Sequence, residues 1–306
     1  MHLGLGMHTT LPEKRIPLDI YLLLIAGTVL VVLQIIYGTT FNLSHRSFLV
    51  SAFTLVLVLV VSLYAGMRRG RGGVFIMARR VARVLLDWAA LVGLVFIYGN
   101  LRDIAALYQG FNITHELMMF ENYLFGKSLT VYTSPLANVL LTDFFTIIYG
   151  LYLVIPLALA LYLYLRGYKR QFELVKLALV AVMFAGFILY IVFPASPPRF
   201  TIEYAAPISS ALFNTMQAKW DAGSFAANFG AFPSLHVGIS AVATFACWQM
   251  RKRVRHGMGL FIAALILSTL ISLSTIYLRH HWVLDIVAGY ALAYAAVTCS
   301  TRWRLV

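Results

Sequence analysis

Three short clusters combine a group that can grip phosphate with groups that can move protons. The first is Phe193-Pro194-Ala195-Ser196-Pro197-Pro198-Arg199. Its prolines end a helix and stiffen the exit, and they hold Arg199 where its guanidinium could fork onto a phosphate. A lone Arg at that depth also serves as an interfacial anchor. The second is Phe232-Pro233-Ser234-Leu235-His236. Pro and Ser suit a helix start, which sets His236 among N–H groups that favour an anion; a first-turn His is also a common structural residue. The third is Tyr277-Leu278-Arg279-His280-His281-Trp282-Val283-Leu284-Asp285. His281 and Asp285 are four apart, on one face if the segment is helical. Asp285 lies just inside an apolar run, where an unpartnered carboxylate is costly. A carboxylate beside an imidazole fixes its tautomer and raises its basicity, which suits a nucleophile or a metal ligand. With one carboxylate and no cysteine nearby, a zinc site is poorly supplied. Taken together, an Arg for the phosphate, a His to attack phosphorus and a second His to protonate the leaving oxygen suffice for phosphoryl transfer. No metal or other cofactor is expected.

These clusters need elements to hold them, and the composition says which. Of 306 residues, 61% are hydrophobic and 11% charged, against about 25% charged in a soluble domain. That excludes a soluble enzyme, a disordered chain and a coiled coil, and leaves a polytopic membrane protein. Apolar runs at 19–38, 48–66, 84–100, 138–165, 177–194, 233–250, 257–276 and 283–300 are each read as a span. None alternates with period two, so the runs are helices rather than barrel strands. The fold class expected is all-α, a bundle of about eight transmembrane helices. The start of the third span is blurred by Arg79, Arg80 and Arg83.

With the N-terminus cytoplasmic, 18 of the 24 Lys and Arg fall on the cytoplasmic side and six on the other. That asymmetry sets both termini in the cytoplasm. All three clusters then lie at helix ends on the extracytoplasmic face of a cell membrane. The net charge of +13 reflects this loop bias; no basic run is interleaved with aromatics as a nucleic-acid site requires, so nucleic acid is not an expected partner. Cys247 and Cys299 lie in apolar runs and offer no disulfide framework. Residues 101–137 and 195–232 form long outer loops, of the kind that cap a site. Within the first, Glu116 to Phe125 carries apolar residues at helical spacing and is expected to lie along the interface.

The clusters resemble the signatures of the type 2 phosphatidic acid phosphatase superfamily of lipid phosphatases and phosphotransferases, over roughly residues 85–300. That family carries a basic segment ending in Arg-Pro, a Pro-Ser-Gly-His, and a Ser-Arg-x5-His-x3-Asp. This chain has Pro-Pro-Arg199, Pro233-Ser234-Leu235-His236 and Ser274-Thr275-x5-His281-x3-Asp285. Leu235 stands for the glycine and Thr275 for the arginine. The pattern, with His-His-Trp before Val-Leu-Asp, is more similar to the branch of inositol phosphorylceramide synthase and sphingomyelin synthase. The resemblance implies a six-helix core in 85–306, with 1–84 adding two N-terminal helices and a basic cytoplasmic loop.

The same resemblance implies the roles. His281 is the nucleophile, Asp285 its orienting partner and His236 the acid that protonates the leaving alcohol. Arg199 clamps phosphate, with Ser234 and Arg279 as weaker candidates. His280 is the rival to His281; on a helix, neighbours point about 100° apart, so only one fits beside Asp285. The activity implied is transfer of a phospho-headgroup, such as phosphoinositol, from a phospholipid to a lipid alcohol through a phosphohistidine. Alternatives are a phosphatase of lipid phosphates or polyprenyl diphosphates, with water as acceptor, and a transporter of anionic lipids. A transporter would place broken helices at the bilayer midplane, whereas these polar residues sit at helix ends.

Overall fold

The computed structural model describes residues 18–37, 56, 74–105, 112–221 and 229–303. Among them the chain is helical, apart from turns and one isolated bridge between Ala195 and Gly230. The principal helices are α1 (Leu18–Tyr37), α2 (Val74–Ala105), α3 (Thr114–Phe125), α4 (Val139–Gly150), α5 (Val154–Leu165), α6 (Lys169–Val192), α7 (Ala211–Asp221), α8 (Leu235–Met250), α9 (Gly257–Tyr277) and α10 (Val283–Trp303).

The expected spans at 19–38, 257–276 and 283–300 correspond to α1, α9 and α10. The run at 48–66 lies outside the described residues. The run at 84–100 belongs to a longer helix, α2, that starts ten residues earlier and includes Arg79, Arg80 and Arg83. Arginine is a good helix former, so the hydrogen-bonded backbone continues where the apolar pattern fades. The run at 138–165 is two helices, α4 and α5, bent by 44° at Leu151–Leu153. Four described helices, α1, α6, α9 and α10, are long and apolar enough to cross a membrane, or five if α4 and α5 form one span. Helix α3 covers the interval expected to be amphipathic: Leu117 and Glu121 are buried, while Met119, Phe120, Tyr123 and Leu124 are exposed.

Helix α8 is the hub, packed against α5, α6, α9 and α10. Its buried residues are mostly small, including Gly238, Ser240, Ala241, Ala243 and Ala246, and small residues let helix backbones approach closely where apolar surface alone gives no driving force. A close approach of backbone to backbone joins α8 to α10. A Cβ on Gly289 would lie 2.5 Å from the carbonyl oxygen of Ser234, and one on Gly238 would lie 3.3 Å from the carbonyl of Gly289. These glycines set the separation of the two helix starts that carry His236 and Asp285.

At the other end of the bundle, α1 is tied to α6 by ions. Lys176 Nζ lies 2.8 Å from Asp19 Oδ2 and 3.0 Å from Glu173 Oε2, all three residues buried. Nearby, Tyr164 on α5 donates a hydrogen bond to Asp87 on α2 (3.1 Å).

Candidate active site

The three sequence clusters meet at one end of the bundle. The stretch after α6 knits to the stretch before α8: Ala195 N–H donates to Phe229 O (2.9 Å) and Ala231 N–H to Ala195 O (3.0 Å). Trp282 Nε1–H donates to Ser196 O (2.8 Å), and its ring packs with Leu117, Ala195 and Ala231. The loop between α9 and α10 is thereby fixed on two sides.

His281 sits just before α10, not on it. Its pairing with Asp285 works through helix-start geometry rather than through a shared helix face. Trp282 occupies the cap position, and Asp285, three residues on, turns back so that Oδ2 accepts the Trp282 N–H at 2.8 Å. This is one half of a capping box, and a carboxylate in a helix's first turn also suits the macrodipole. The same Oδ2 lies 3.3 Å from His281 Nδ1. Ala231 O lies 2.9 Å from that nitrogen. Two oxygen acceptors therefore face Nδ1, which assigns it the proton and leaves the lone pair on Nε2. His281 Nε2 points to His236 Nδ1 at 3.5 Å.

His236 stands in the second position of α8. Ser234 caps that helix: its Oγ accepts from Val237 N–H (3.4 Å), and its own N–H donates to the carbonyl of Asp285 (2.9 Å). Ser234 is fully buried in that capping role. The His236 ring is bracketed by two tyrosines from the α4–α5 break, with centroids at 4.2 Å (Tyr149, stacked) and 4.3 Å (Tyr152, tilted). Tyr149 Oη lies 3.3 Å from His236 Nδ1.

Arg199 joins this group through the loop. Its N–H donates to Arg279 O (3.0 Å), and its guanidinium lies over the Phe200 ring at 4.4 Å. Arg279 is directed elsewhere. Its Nη2 donates to Ala206 O (2.6 Å) and Ser134 Oγ (3.1 Å), and its guanidinium stacks on Tyr204 at 3.7 Å. Its φ of 63° lies in the left-handed region, uncommon for a non-glycine; those contacts hold it there. His280 turns away from Asp285. Its Nε2 meets Gln217 Oε1 on α7 at 3.0 Å, and Tyr149 approaches its ring edge-on at 4.6 Å. Burial holds its pKa well below the ordinary imidazole range, and the nearby Arg199, His281 and His236 push the same way. The structure thus gathers His236, His281 and Asp285, with Arg199 alongside, and gives Ser234 and Arg279 capping and bracing contacts.

Sequence reasoning missed several partners. Glu121 on α3 is fully buried, accepts from Val283 N–H at the start of α10, and accepts from Leu129 N–H at 3.3 Å. Burial raises its pKa. An acid on the inward side of an apolar helix, one turn from Leu117, was the available signal. The tyrosines lie inside an apolar run whose 28 residues exceed the roughly 20 a straight span needs; that excess length was the trace of the break. Nothing in the sequence marks the Ala231 carbonyl or Gln217. Among the described residues, no three His, Cys, Asp or Glu side chains converge as a metal site.

One imidazole with a directed lone pair, a second within reach of it and a guanidinium alongside can carry a phosphoryl group. Comparison with known proteins gives a relative and a family. A segment is 34% identical over 125 residues to the inositol phosphorylceramide synthase catalytic subunit AUR1 of Saccharomyces cerevisiae, covering 36% of this chain and 29% of the yeast protein. The match thus spans less than a third of that relative's length. No solved structure matches. The family profile described as the PAP2 superfamily matches residues 115–299, which include all three clusters, and the chain belongs to that superfamily of multi-pass membrane enzymes.

Proposed function

We propose that the protein is a membrane lipid phosphotransferase that moves a phospho-headgroup, such as phosphoinositol, from a phospholipid to a lipid hydroxyl through a phosphohistidine on His281. In the first half-reaction, His281 Nε2 attacks phosphorus. A P–N bond forms, the P–O bond to the leaving lipid alcohol breaks, and His236 gives that oxygen a proton. In the second, the acceptor hydroxyl loses its proton to His236 and attacks phosphorus, and the P–N bond breaks. Asp285 stabilises the positive charge on His281 as the P–N bond forms. Arg199 holds the phosphate oxygens. The observation that carries this reading is the arrangement of His281: Nδ1 backed by Asp285 and the Ala231 carbonyl, Nε2 turned toward His236.

The yeast relative's name favours transfer to a lipid over hydrolysis and over transport. The Lys and Arg bias of the loops favours a site on the extracytoplasmic face, with both termini cytoplasmic. Residues 85–306 serve as the catalytic core, with 1–84 as an N-terminal addition. Incubating the purified protein with a panel of phospholipids, with and without ceramide or diacylglycerol, tests the reading. Appearance of a headgroup-bearing acceptor lipid is the expected result. Release of inorganic phosphate from a lipid phosphate, regardless of acceptor, would establish the phosphatase instead.

A further inference from the structure

We infer that Tyr149 is a positioning residue that makes His236 the acid of the pair. This rests on the roles just proposed for His236 and His281. The two imidazoles face each other, so something must give them different tasks. The structure supplies different backing groups. Behind His281 stands a carboxylate, Asp285, at 3.3 Å. Behind His236 stands a neutral phenol, Tyr149, with Oη 3.3 Å from Nδ1.

The proton accounting shows what the phenol does. As an acid, His236 starts as an imidazolium with both nitrogens protonated. It gives its Nε2 proton to the leaving oxygen and recovers one from the acceptor hydroxyl. Its Nδ1–H is retained throughout, and that N–H needs an acceptor. Tyr149 Oη lies in reach at 3.3 Å, and the lone pair of His281 Nε2 at 3.5 Å. With phosphate bound, the lone pair of His281 Nε2 is committed to phosphorus. The Tyr149 oxygen is left to hold that N–H, which orients the His236 ring, supports its imidazolium form and keeps Nε2 as the shuttling nitrogen. A neutral acceptor also stabilises the imidazolium less than a carboxylate does, so His236 yields its proton more readily than a carboxylate-backed histidine. The bend at Leu151–Leu153 brings this about: Tyr149, 5% exposed, stacks on the imidazole at 4.2 Å while Tyr152 closes the other side at 4.3 Å.

Tyr149→Phe keeps the ring and its stacking and removes only the oxygen. Wild type, Y149F and H236A are assayed in mixed micelles on a natural phospholipid donor, whose leaving group is an alkoxide, and on a p-nitrophenyl phosphodiester of the same headgroup, whose leaving group needs no proton. For Y149F the expected result is a kcat loss of about tenfold on the phospholipid, a modest share of what general acid catalysis contributes. The apparent KM should be unchanged, and the pre-steady-state burst of p-nitrophenolate from the aryl donor, which reports P–N bond formation before His236 must accept a proton, should stay within about twofold of wild type. The aryl donor, measured on the same preparation, also checks folding. Equal losses on both donors would make Tyr149 merely structural and overturn the inference. Wild-type activity of Y149F on both donors, with H236A inactive on the phospholipid, would overturn it while leaving the proposed function standing. Wild-type turnover by H236A would overturn both.

Discussion

The two ends of this bundle solve the problem of buried polar groups in opposite ways. At the Lys176 end, charges of opposite sign close on each other at 2.8 and 3.0 Å, joining α1 to α6. About 24 Å along α6, at 1.5 Å per residue, the other end gathers three imidazoles, a guanidinium and Asp285. Among the described residues, Asp285 is the carboxylate bonded to a histidine there, and His236 and Arg199 are only half-buried. Closed ion pairs fix helices and leave little to react. A surplus of groups able to carry positive charge around a half-covered His236 suits a dianionic or anionic guest, whose phosphate supplies the missing negative charge. The difference separates residues whose loss should unfold the protein from those whose loss should silence it.

The sharpest break of that contrast is His281→Ala. Loss of the proposed nucleophile should lower turnover by about 10⁴-fold or more with the thermal midpoint little changed, and His280→Ala should cost far less. Dependence on His280 rather than His281 would show that the wrong imidazole has been given the task. Asp285→Asn should also be severe, about 10²-fold or more in kcat, with little change in donor binding. Lys176→Met is the mirror case. Removing one partner of a buried ion pair costs about 3–5 kcal/mol, read as a lowered thermal midpoint, while the folded fraction should turn over normally. Adding Asp19→Leu to Lys176→Met should recover part of that stability, because one of the two carboxylates that lost Lys176 is gone.

Gly289→Ala tests whether the two regions are truly separate. Its Cβ would meet the Ser234 carbonyl at 2.5 Å, so α8 and α10 must part, at about 1–3 kcal/mol. Because that contact lies between His236 and Asp285, activity should fall further than stability does. Arg199→Lys should be milder, raising the apparent KM several-fold as the planar fork is lost; a wild-type KM would leave Arg199 an interfacial anchor. The smallest effect concerns His280, which faces Arg199, His281, His236, Tyr149 and Gln217. Its folded pKa lies below the unfolded value of about 6.5, so the unfolded chain binds more protons and stability falls as pH drops below about 6.5. His280→Asn should flatten that acid-side loss in thermal scans between pH 7 and 5; an unchanged slope would assign it to other groups.

The all-helical fold and the three clusters were legible because hydropathy marks helices in lipid and because Asp285 in an apolar run demands a partner. The four-residue spacing to His281 was read as a helix face, yet the contact arises from a chain reversal at a helix start; both geometries favour similar spacings. The bend between α4 and α5 was overlooked, although Gly150 at the end of α4 and Pro156 in the first turn of α5 mark it. Tyr149, Glu121 and Gln217 reach the site from helices distant in sequence, and no local pattern announces such contacts. Arg279 looked like a phosphate ligand by charge and position; only its contacts with Ser134, Ala206 and Tyr204 reveal where the guanidinium goes.

The most direct test of the His281 mechanism is to trap the covalent state. The protein is mixed with donor phospholipid without acceptor, quenched in alkali, in which a phosphoramidate survives, and digested for mass spectrometry. The mechanism predicts a phospho-headgroup on the peptide containing His281, lost in acid, absent from His281→Ala and discharged when a lipid alcohol is added before the quench. Turnover with no adduct on any histidine, or an adduct that persists in His281→Ala, would contradict it.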